Sequence, residues 1–271
     1  MNTVDNDKAG ADYWTSFWKS TEALPSPALM DDKPTSYIVE EMDRLFRKHL
    51  ASKGDVQQRL LEVGCGNSIW LSYFNRRFGY KVSGIDYSEF GCEQTRKILS
   101  RDGCSGDIRY GDLFAPPEDM TGKFDVVCSF GVVEHFEDTS AVLTAISRFL
   151  KPGGILITTV PNLNGPTGFL QKKFNKPVYD IHVIHSIETL TAHLKKSGLE
   201  PLAAEYFSSL TFGVNLVPAE GGEIAFRSAK RFFIKGLQVI GKLFCLTDSR
   251  LFTLPKGKLT SEGIFTVARK P

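Results

Sequence analysis

The stretch LLEVGCGNSIW, residues 60–70, decides the fold. Its apolar run ends in a turn that contains Gly64 and Gly66. Glycines lack Cβ, so they let the main chain turn sharply and approach a ligand closely. In an open α/β sheet the ligand crevice lies at the carboxyl ends of the strands, where this turn would lie. The dinucleotide fingerprint G-x-G-x-x-G needs a third glycine where this sequence has Ile69, so the turn predicts a ligand without a pyrophosphate.

Apolar strand-like runs and helical patterns alternate on both sides of this turn. Strict alternation with short links predicts an α/β fold with a doubly wound, mostly parallel, Rossmann-like sheet. We expect its seven strands at 59–63, 81–86, 107–112, 124–130, 154–160, 201–210 and 262–270.

Helical spacing of apolar residues, capping residues and stop signals predict four helices. Apolar residues at helical spacing predict a first helix over 36–51. The other three are expected from Ser88 to Gly103, from Asp138 or Thr139 to the Lys-Pro-Gly-Gly stop at 151–154, and from Ser186 to Gly198.

The chain divides into four expected segments. They are an N-terminal tail and helical cap (1–52), a cofactor-binding core (53–210), a basic amphipathic helical insertion (211–260) and a final strand of the core sheet (261–271).

Composition limits the classes of protein that fit. A net charge of +2 over 271 residues and a pI near 8.2 do not mark a nucleic-acid binder. The five cysteines are odd in number and have no C-x-x-C spacing, which argues against a disulfide framework and a structural zinc site. The polar first ten residues carry no apolar core of a signal peptide, so we expect a cytoplasmic protein.

Acidic residues end the two strands that follow the glycine turn. Asp86 lies twenty residues beyond Gly66, where a carboxylate accepts hydrogen bonds from ribose hydroxyls. Asp112 ends the next strand, and the apolar Leu113 and Phe114 beside it suit the faces of a flat base. Together these residues predict a nucleoside site without phosphates.

Five stretches, in this order, resemble the class I S-adenosylmethionine-dependent methyltransferases: LLEVGCGNS, GIDYSE, GDLF, FDVVCSFGVVEHFED and LKPGGILITTVPN. The V-x-E-H signature after the fourth strand is similar to that of ubiquinone-biosynthesis O-methyltransferases and many natural-product methyltransferases. The resemblance covers roughly residues 13–205 and the final strand. It implies methyl transfer from S-adenosylmethionine to a small organic acceptor, with release of S-adenosylhomocysteine.

Carried over position by position, the resemblance implies a set of cofactor-binding residues. The amino acid part would be surrounded by Glu62, Gly64, Cys65 and Gly66, and the methionine part by Ser129, Phe130 and Gly131. The ribose would be bound by Asp86, and the adenine by Tyr87, Asp112 and Leu113. Alternatives stay open: Glu62 ties loop amides together, Asp86 and Asp112 cap helices, and Cys65 contributes only main chain and packing.

Three histidines are candidates for a general base, which methylation of a hydroxyl requires. His135 belongs to the Glu134-His135 signature, which the resemblance places at the active-site cavity, with Glu134 among the cofactor-binding residues. His182 and His185 follow the fifth strand, where this family binds the acceptor, and we rank them ahead of His135. For His182 and His185 the alternatives are substrate hydrogen bonding and capping of the following helix. For His135 the alternative is a side chain that orients the following helix or bonds to the main chain. No third ligand accompanies the pair, so we expect no metal site.

The aromatic segment YWTSFWKS at 13–20 is similar to N-terminal helices that fold over the cofactor in this superfamily. The aromatic side chains that would then close the pocket are Tyr13, Trp14, Phe17 and Trp18. The alternative is a terminal helix anchored on the core.

Residues 227–258 carry eight Lys or Arg against one acid, Asp248, and are rich in apolar residues. A lid over the acceptor, structural packing or a homodimer contact, and peripheral contact with an anionic membrane all remain open. A nucleic-acid methyltransferase is disfavoured, because SFGVVEH replaces the Asn/Asp-Pro-Pro-aromatic stretch of base-modifying enzymes. A non-catalytic, cofactor-binding regulatory domain is the remaining alternative.

Overall fold

The computed structural model of the chain describes residues 7–20, 23–50, 58–214, 228–250 and 254–271, and in the last helix it describes the side chains of 233–248. A short hairpin, β1 (Leu29–Met30) and β2 (Lys33–Pro34), precedes the central sheet. The strands of that sheet are β3 (Arg59–Val63), β4 (Lys81–Asp86), β5 (Gly106–Tyr110), β6 (Phe124–Phe130), β7 (Leu150–Pro161), β8 (Glu200–Phe207) and β9 (Gly263–Arg269).

The seven strands lie in the order β5-β4-β3-β6-β7-β9-β8. Neighbours from β5 to β7 are parallel, and β9 runs antiparallel to both β7 and β8. The predicted seven-stranded, mostly parallel sheet is confirmed, and the strand predicted last in the chain lies inside the sheet rather than at its edge.

Helices cover both faces of this sheet. They are α1 (Ala11–Ser20), α2 (Tyr37–His49), α3 (Trp70–Phe78), α4 (Glu89–Arg101), α5 (Thr139–Ser147), α6 (Pro166–Phe174), α7 (Lys176–Asp180), α8 (Ile187–Lys196) and α9 (Ser228–Arg250). Within the described ranges, no helix is both long and apolar enough to cross a bilayer.

Alternating strand residues contribute to two separate cores, as the two-residue period of a strand requires. Leu60 of β3 belongs to one core with side chains of α2, α3 and α4, such as Phe46, Phe74 and Leu99. The next residue, Leu61, belongs to the other core, with side chains of α5 and α8. The sheet is therefore doubly wound, and both of its faces are buried.

Three helices begin at the capping residues that the sequence predicts. The Ser88 hydroxyl accepts from the main-chain N–H of Gly91, the Asp138 carboxylate from that of Ala141, and Ser186 forms a capping box with Thr189. Of the two residues offered for α5, the cap is thus Asp138. Each cap satisfies a main-chain donor that the first helical turn leaves without a partner.

The sequence prediction is wrong at the end of α5. The helix ends at Ser147 rather than at the stop at 151–154, because Leu150 already pairs with Phe124 as the first residue of β7. An irregularity in that pairing then separates the first residues of β7 from its regular part. Helices α3, α6 and α7 were not among the predicted elements.

The register of the parallel strands places the glycine turn at the centre of the sheet edge. Val63, the last residue of β3, lies beside Ile85 of β4 on one side and Ser129 of β6 on the other. The chain therefore leaves three adjacent strands at the same level, and the residues that follow those strands converge there.

Candidate active site

A cavity of about 560 Å³ lies at this carboxyl edge of the sheet. The glycine turn after β3 forms its floor, and the ends of β4, β5 and β6 supply walls that include Asp86, Asp112 and Phe130. Trp14 and Trp18 of α1 contribute to the lining from the N-terminal segment. The position agrees with the crevice expected for an open α/β sheet.

The two glycines are required by what lies against them. Gly64 has φ +75°, and a Cβ there would lie 2.3 Å from Cγ2 of Val132. A Cβ on Gly66 would lie 2.7 Å from Nε1 of Trp18 and 3.0 Å from Oδ2 of Asp86. Any larger residue would fill the cavity floor or displace its walls.

Asp86 is buried and holds the glycine turn to the start of α4. Its Oδ2 accepts from the main-chain N–H of Gly66 at 2.8 Å, and its Oδ1 from that of Ser88 at 2.7 Å. Burial raises the pKa of this carboxyl to about 6, although both N–H donors oppose the shift. Each oxygen keeps a further lone pair for a ligand.

Glu62 is a second buried carboxyl on the same cavity. Burial, and to a smaller extent the charge of Asp86, raises its pKa to about 8, while the Ser68 hydroxyl, which donates to Oε2 at 2.6 Å, opposes the shift. Two desolvated acids on one cavity favour a ligand that carries positive charge.

The wall after β5 combines an exposed acid with apolar side chains. Asp112 accepts from the main-chain N–H of Phe114 at 2.8 Å, as in an Asx turn, and is exposed. Leu113, Phe114 and Tyr87 also line the cavity. The Tyr87 hydroxyl donates to the carboxylate of Asp7 at 2.9 Å, which ties the N-terminal segment to this wall.

Several predicted cofactor residues lie behind the cavity wall. Cys65 is fully buried, with its Sγ packed against Gly84. Ser129 is fully buried on β6. Neither side chain lines the cavity, nor do those of Glu134 and Tyr13. Those that do line it are Glu62, Gly64, Gly66, Asp86, Tyr87, Asp112, Leu113, Phe130, Gly131 and Trp18.

The three candidate histidines have different surroundings. His135 lines the cavity and contacts the Trp14 ring, with centroids 5.1 Å apart. Its Nδ1 lies 2.9 Å from the carbonyl oxygen of Ile181, so Nδ1 carries the hydrogen and Nε2 keeps the lone pair. Burial lowers the pKa of His135 to about 3, and the imidazole is neutral.

His182 and His185 do not line the cavity. The Nδ1 of His182 lies 2.6 Å from the carbonyl oxygen of Val178, and its ring packs against that of His135. His185 is buried, with Nε2 3.3 Å from the Thr139 hydroxyl, and burial lowers its pKa to about 4. This geometry does not support the ranking of this pair ahead of His135, because neither ring reaches the cavity.

The titratable side chains grouped with His182 are Glu134 and His135, and not His185. One ligand atom from each of Glu134, His135 and His182 lies within 4.8 Å of the others. Oε1 of Glu134 is 4.0 Å from Nε2 of His135, and Oε2 is buried without a hydrogen-bond partner. Burial raises the pKa of Glu134 to about 8. The spacing of residues along the chain does not indicate a third titratable group beside His182, which is why none was expected.

Comparison with known families decides the class of the protein. A family model described as a methyltransferase domain matches residues 35–204, which is more than half of the chain. The chain belongs to the class I S-adenosylmethionine-dependent methyltransferases. The matched range begins just before α2 and ends within β8, so it contains the strands that form the cavity walls.

Relatives of this methyltransferase include a ubiquinone biosynthesis O-methyltransferase of Cereibacter sphaeroides. It is 30% identical over 204 residues, which cover 71% of this chain and 79% of the relative. A putative sarcosine dimethylglycine methyltransferase from Galdieria sulphuraria has the same fold, with a TM-score of 0.59 and 17% identity, covering 96% of this chain and 98% of that one. A geranyl diphosphate C-methyltransferase from Streptomyces coelicolor matches with a TM-score of 0.54 and 14% identity, covering 98% of this chain and 90% of that one.

In this methyltransferase the least predictable side of the cavity is the one formed by the N-terminal residues 7–18. Asp7 binds Tyr87, and the main-chain N–H of Lys8 donates to the carbonyl oxygen of His135 at 2.8 Å. Further lining residues without a predicted cofactor role include Asn67, Ile69, Trp70 and Val132. The aromatic residues at 13–18 indicate in the sequence that this segment covers the cavity. No sequence pattern indicates the contact of Asp7 with Tyr87.

Proposed function

We propose that this methyltransferase transfers the methyl group of S-adenosylmethionine to an oxygen atom of a small organic acceptor. One observation carries the proposal above all: the buried carboxyls of Glu62 and Asp86 flank a double-glycine floor in a cavity of about 560 Å³. That volume falls within the range of small-molecule sites. The name of the Cereibacter sphaeroides relative supports oxygen as the acceptor atom.

The residues present fit S-adenosylmethionine. Asp86 has two free lone pairs for the ribose hydroxyls, and Glu62 has a raised pKa that a nearby ammonium group would lower again. Leu113 and Phe114 provide apolar surface for the adenine. Among the described residues no Lys or Arg lines the cavity, which agrees with a cofactor that carries no phosphate.

The bound cofactor supplies an electrophilic methyl group on a sulfonium. The protein would position the acceptor atom against this methyl group and exclude water. An in-line displacement is accelerated mainly by holding the two reacting atoms at the correct distance and angle. The rings of Trp14 and Trp18 on α1 line the cavity, and so does the ring of Phe130 on β6. Together they would exclude water from the reacting atoms.

His135 is our candidate for the general base. The carbonyl oxygen of Ile181 holds its hydrogen on Nδ1, so Nε2 would accept the proton that the acceptor hydroxyl loses. Glu134 lies 4.0 Å from Nε2, and the positive charge that forms there would lower the raised pKa of its carboxyl. His182, packed on His135, would act as a positioning residue.

Calorimetry with S-adenosylhomocysteine tests the cofactor assignment. Asp86→Ala should weaken binding roughly a hundredfold, because charge-assisted hydrogen bonds to both ribose hydroxyls are lost. The matched control is Asp107→Ala, which removes an exposed acid paired with Arg109 on β5 and should leave the affinity unchanged. Wild-type affinity in a folded Asp86→Ala protein would refute the ribose assignment.

Methyl transfer from labelled cofactor tests the acceptor class. The protein is offered a panel of hydroxyaryl compounds, the matching amines and thiols, and total RNA. We expect label in the hydroxyaryl products. Label that enters only RNA would contradict the small-molecule proposal, and label that enters only amines or thiols would contradict the choice of oxygen.

A further inference from the structure

One face of α9 is packed against the rest of the protein. Ile234 and Cys245 are buried, and a Cβ on Gly241 would lie 2.4 Å from the carbonyl oxygen of Thr211. Near the end of the helix, Asp248 accepts hydrogen bonds from the Tyr37 hydroxyl and the Lys256 ammonium. These contacts fix which side of the helix faces the protein.

The opposite face exposes large apolar side chains. Phe233, Val239, Ile240, Leu243 and Phe244 are between 41% and 58% exposed. At 100° per residue they occupy one side of the helix, opposite the buried positions. Contiguous exposed apolar surface of this kind marks an interaction site.

The charges beside this face are positive. Lys235 and Lys242 are exposed and lie one above the other along one edge of the apolar face, two turns apart. Asp248, the one acidic residue among the described side chains of α9, does not neutralise these lysines, because it pairs with Tyr37 and Lys256. An apolar stripe edged by lysines is the pattern of a helix that lies in a membrane interface.

Helix α6 extends this surface. Phe174 of α6 contacts Phe233 of α9, with ring centroids 6.1 Å apart. On α6 itself Phe169 is 70% exposed, and Lys172 and Lys173 are exposed. Two helices therefore present apolar side chains and lysines to the solvent.

We infer that the exposed face of α9, together with α6, is a docking surface for an anionic lipid bilayer. A second copy of the chain fits less well, since the described side chains of α9 offer these lysines no free acid: Asp248 is engaged with Tyr37 and Lys256. Anionic headgroups would instead neutralise the lysines while the apolar side chains enter the acyl boundary. This inference does not depend on the proposed reaction.

Vesicle flotation of the full-length protein tests the inference. We expect flotation with phosphatidylcholine vesicles that contain phosphatidylglycerol at low salt, and little with phosphatidylcholine alone or at high salt. Leu243→Glu should abolish it. Lys235→Ala combined with Lys242→Ala should weaken binding roughly thirtyfold, because each lysine near an anionic surface contributes about 1 kcal/mol.

The matched control is Lys195→Ala combined with Lys196→Ala, an exposed lysine pair on α8 with the same change in net charge. It should float like the wild type. Equal weakening by both lysine pairs would overturn the inference, since only net charge would then matter. Absence of flotation would also overturn it, as would a wild-type dimer that Leu243→Glu converts to a monomer without any effect on lipid binding. Thermal unfolding checks that each variant is folded.

Discussion

His135 and His182 lie ring against ring, with centroids 4.6 Å apart, and each directs its Nδ1 to a main-chain carbonyl oxygen. A carbonyl can only accept, so both imidazoles carry hydrogen on Nδ1 and keep the lone pair on Nε2. The main chain thus sets the tautomer of both rings, and only His135 also reaches the cavity.

A base at His135 predicts a loss of turnover without a loss of cofactor binding. His135→Gln should lower kcat roughly 10²-fold or more, the usual contribution of general base catalysis. The affinity for S-adenosylhomocysteine should stay within about twofold, since binding relies on other groups. Single-turnover kinetics and calorimetry measure the two quantities. His185→Gln is the control, and a similar fall in its kcat would show that the effect is structural.

The buried histidines predict a loss of stability in acid. Burial holds the pKa of His135 at about 3 and that of His185 at about 4, below the ordinary value of 6.5. The unfolded chain then binds protons more tightly, so their contribution to stability is complete above pH 6.5 and is lost as the pH falls towards 3. The raised pKa values of Glu62 and Glu134 act in the opposite direction between pH 7 and pH 5, so the histidine contribution is measured as a difference between variants. On going from pH 7 to pH 5, the melting temperature of His185→Gln should shift upward relative to that of the wild type by a few degrees. An equal pH dependence of the melting temperature in that variant and the wild type would contradict this origin.

The raised pKa of Glu62, about 8, predicts that cofactor binding releases a proton. At pH 7 the carboxyl of the free protein is protonated, and a bound ammonium group would favour the ionised form. Calorimetry in buffers of different ionisation enthalpy should show about one proton released per S-adenosylhomocysteine at pH 7, and almost none well above pH 8. Glu62→Gln should remove the release at pH 7. Proton uptake by the wild type would contradict the assignment.

The glycine turn predicts a contrast between two substitutions. Gly64→Ala adds a methyl group in a left-handed conformation 2.3 Å from Val132 and should cost about 2–4 kcal/mol of unfolding free energy. Gly103, with φ +69°, has no heavy atom within 4 Å of the same methyl position, so Gly103→Ala should cost only about 1–2 kcal/mol. Urea denaturation measures both. Equal costs would mean that the contact with Val132 is relieved without penalty.

Much of the fold follows from local patterns. The bounds of β3, β4 and β6 match the predicted strands residue for residue, because buried parallel strands are short apolar runs that end at glycines or acids. The spacing of Asp86 from Gly66 predicts its place in the site, because the parallel register of β3 and β4 brings the two residues into contact. These features depend on interactions between chain neighbours and adjacent strands, which a sequence displays directly.

The histidines show what local patterns do not contain. His182 and His185 are three residues apart, yet one packs on His135 and the other on Thr139. Which way each ring turns is decided by how the segment before α8 lies against the 133–139 turn, and that is a tertiary arrangement. The same holds for Asp7, whose partner Tyr87 is 80 residues away.

The position of β9 has a consequence for biosynthesis. Residues 263–269 lie between two strands that are made earlier, so on the ribosome β7 and β8 have a gap between them until β9 has been translated. Until then both strands would offer unpaired edges to other chains. A message truncated shortly before β9 would give a polypeptide with nearly the whole cavity but an open sheet, a natural target for chaperones and proteases.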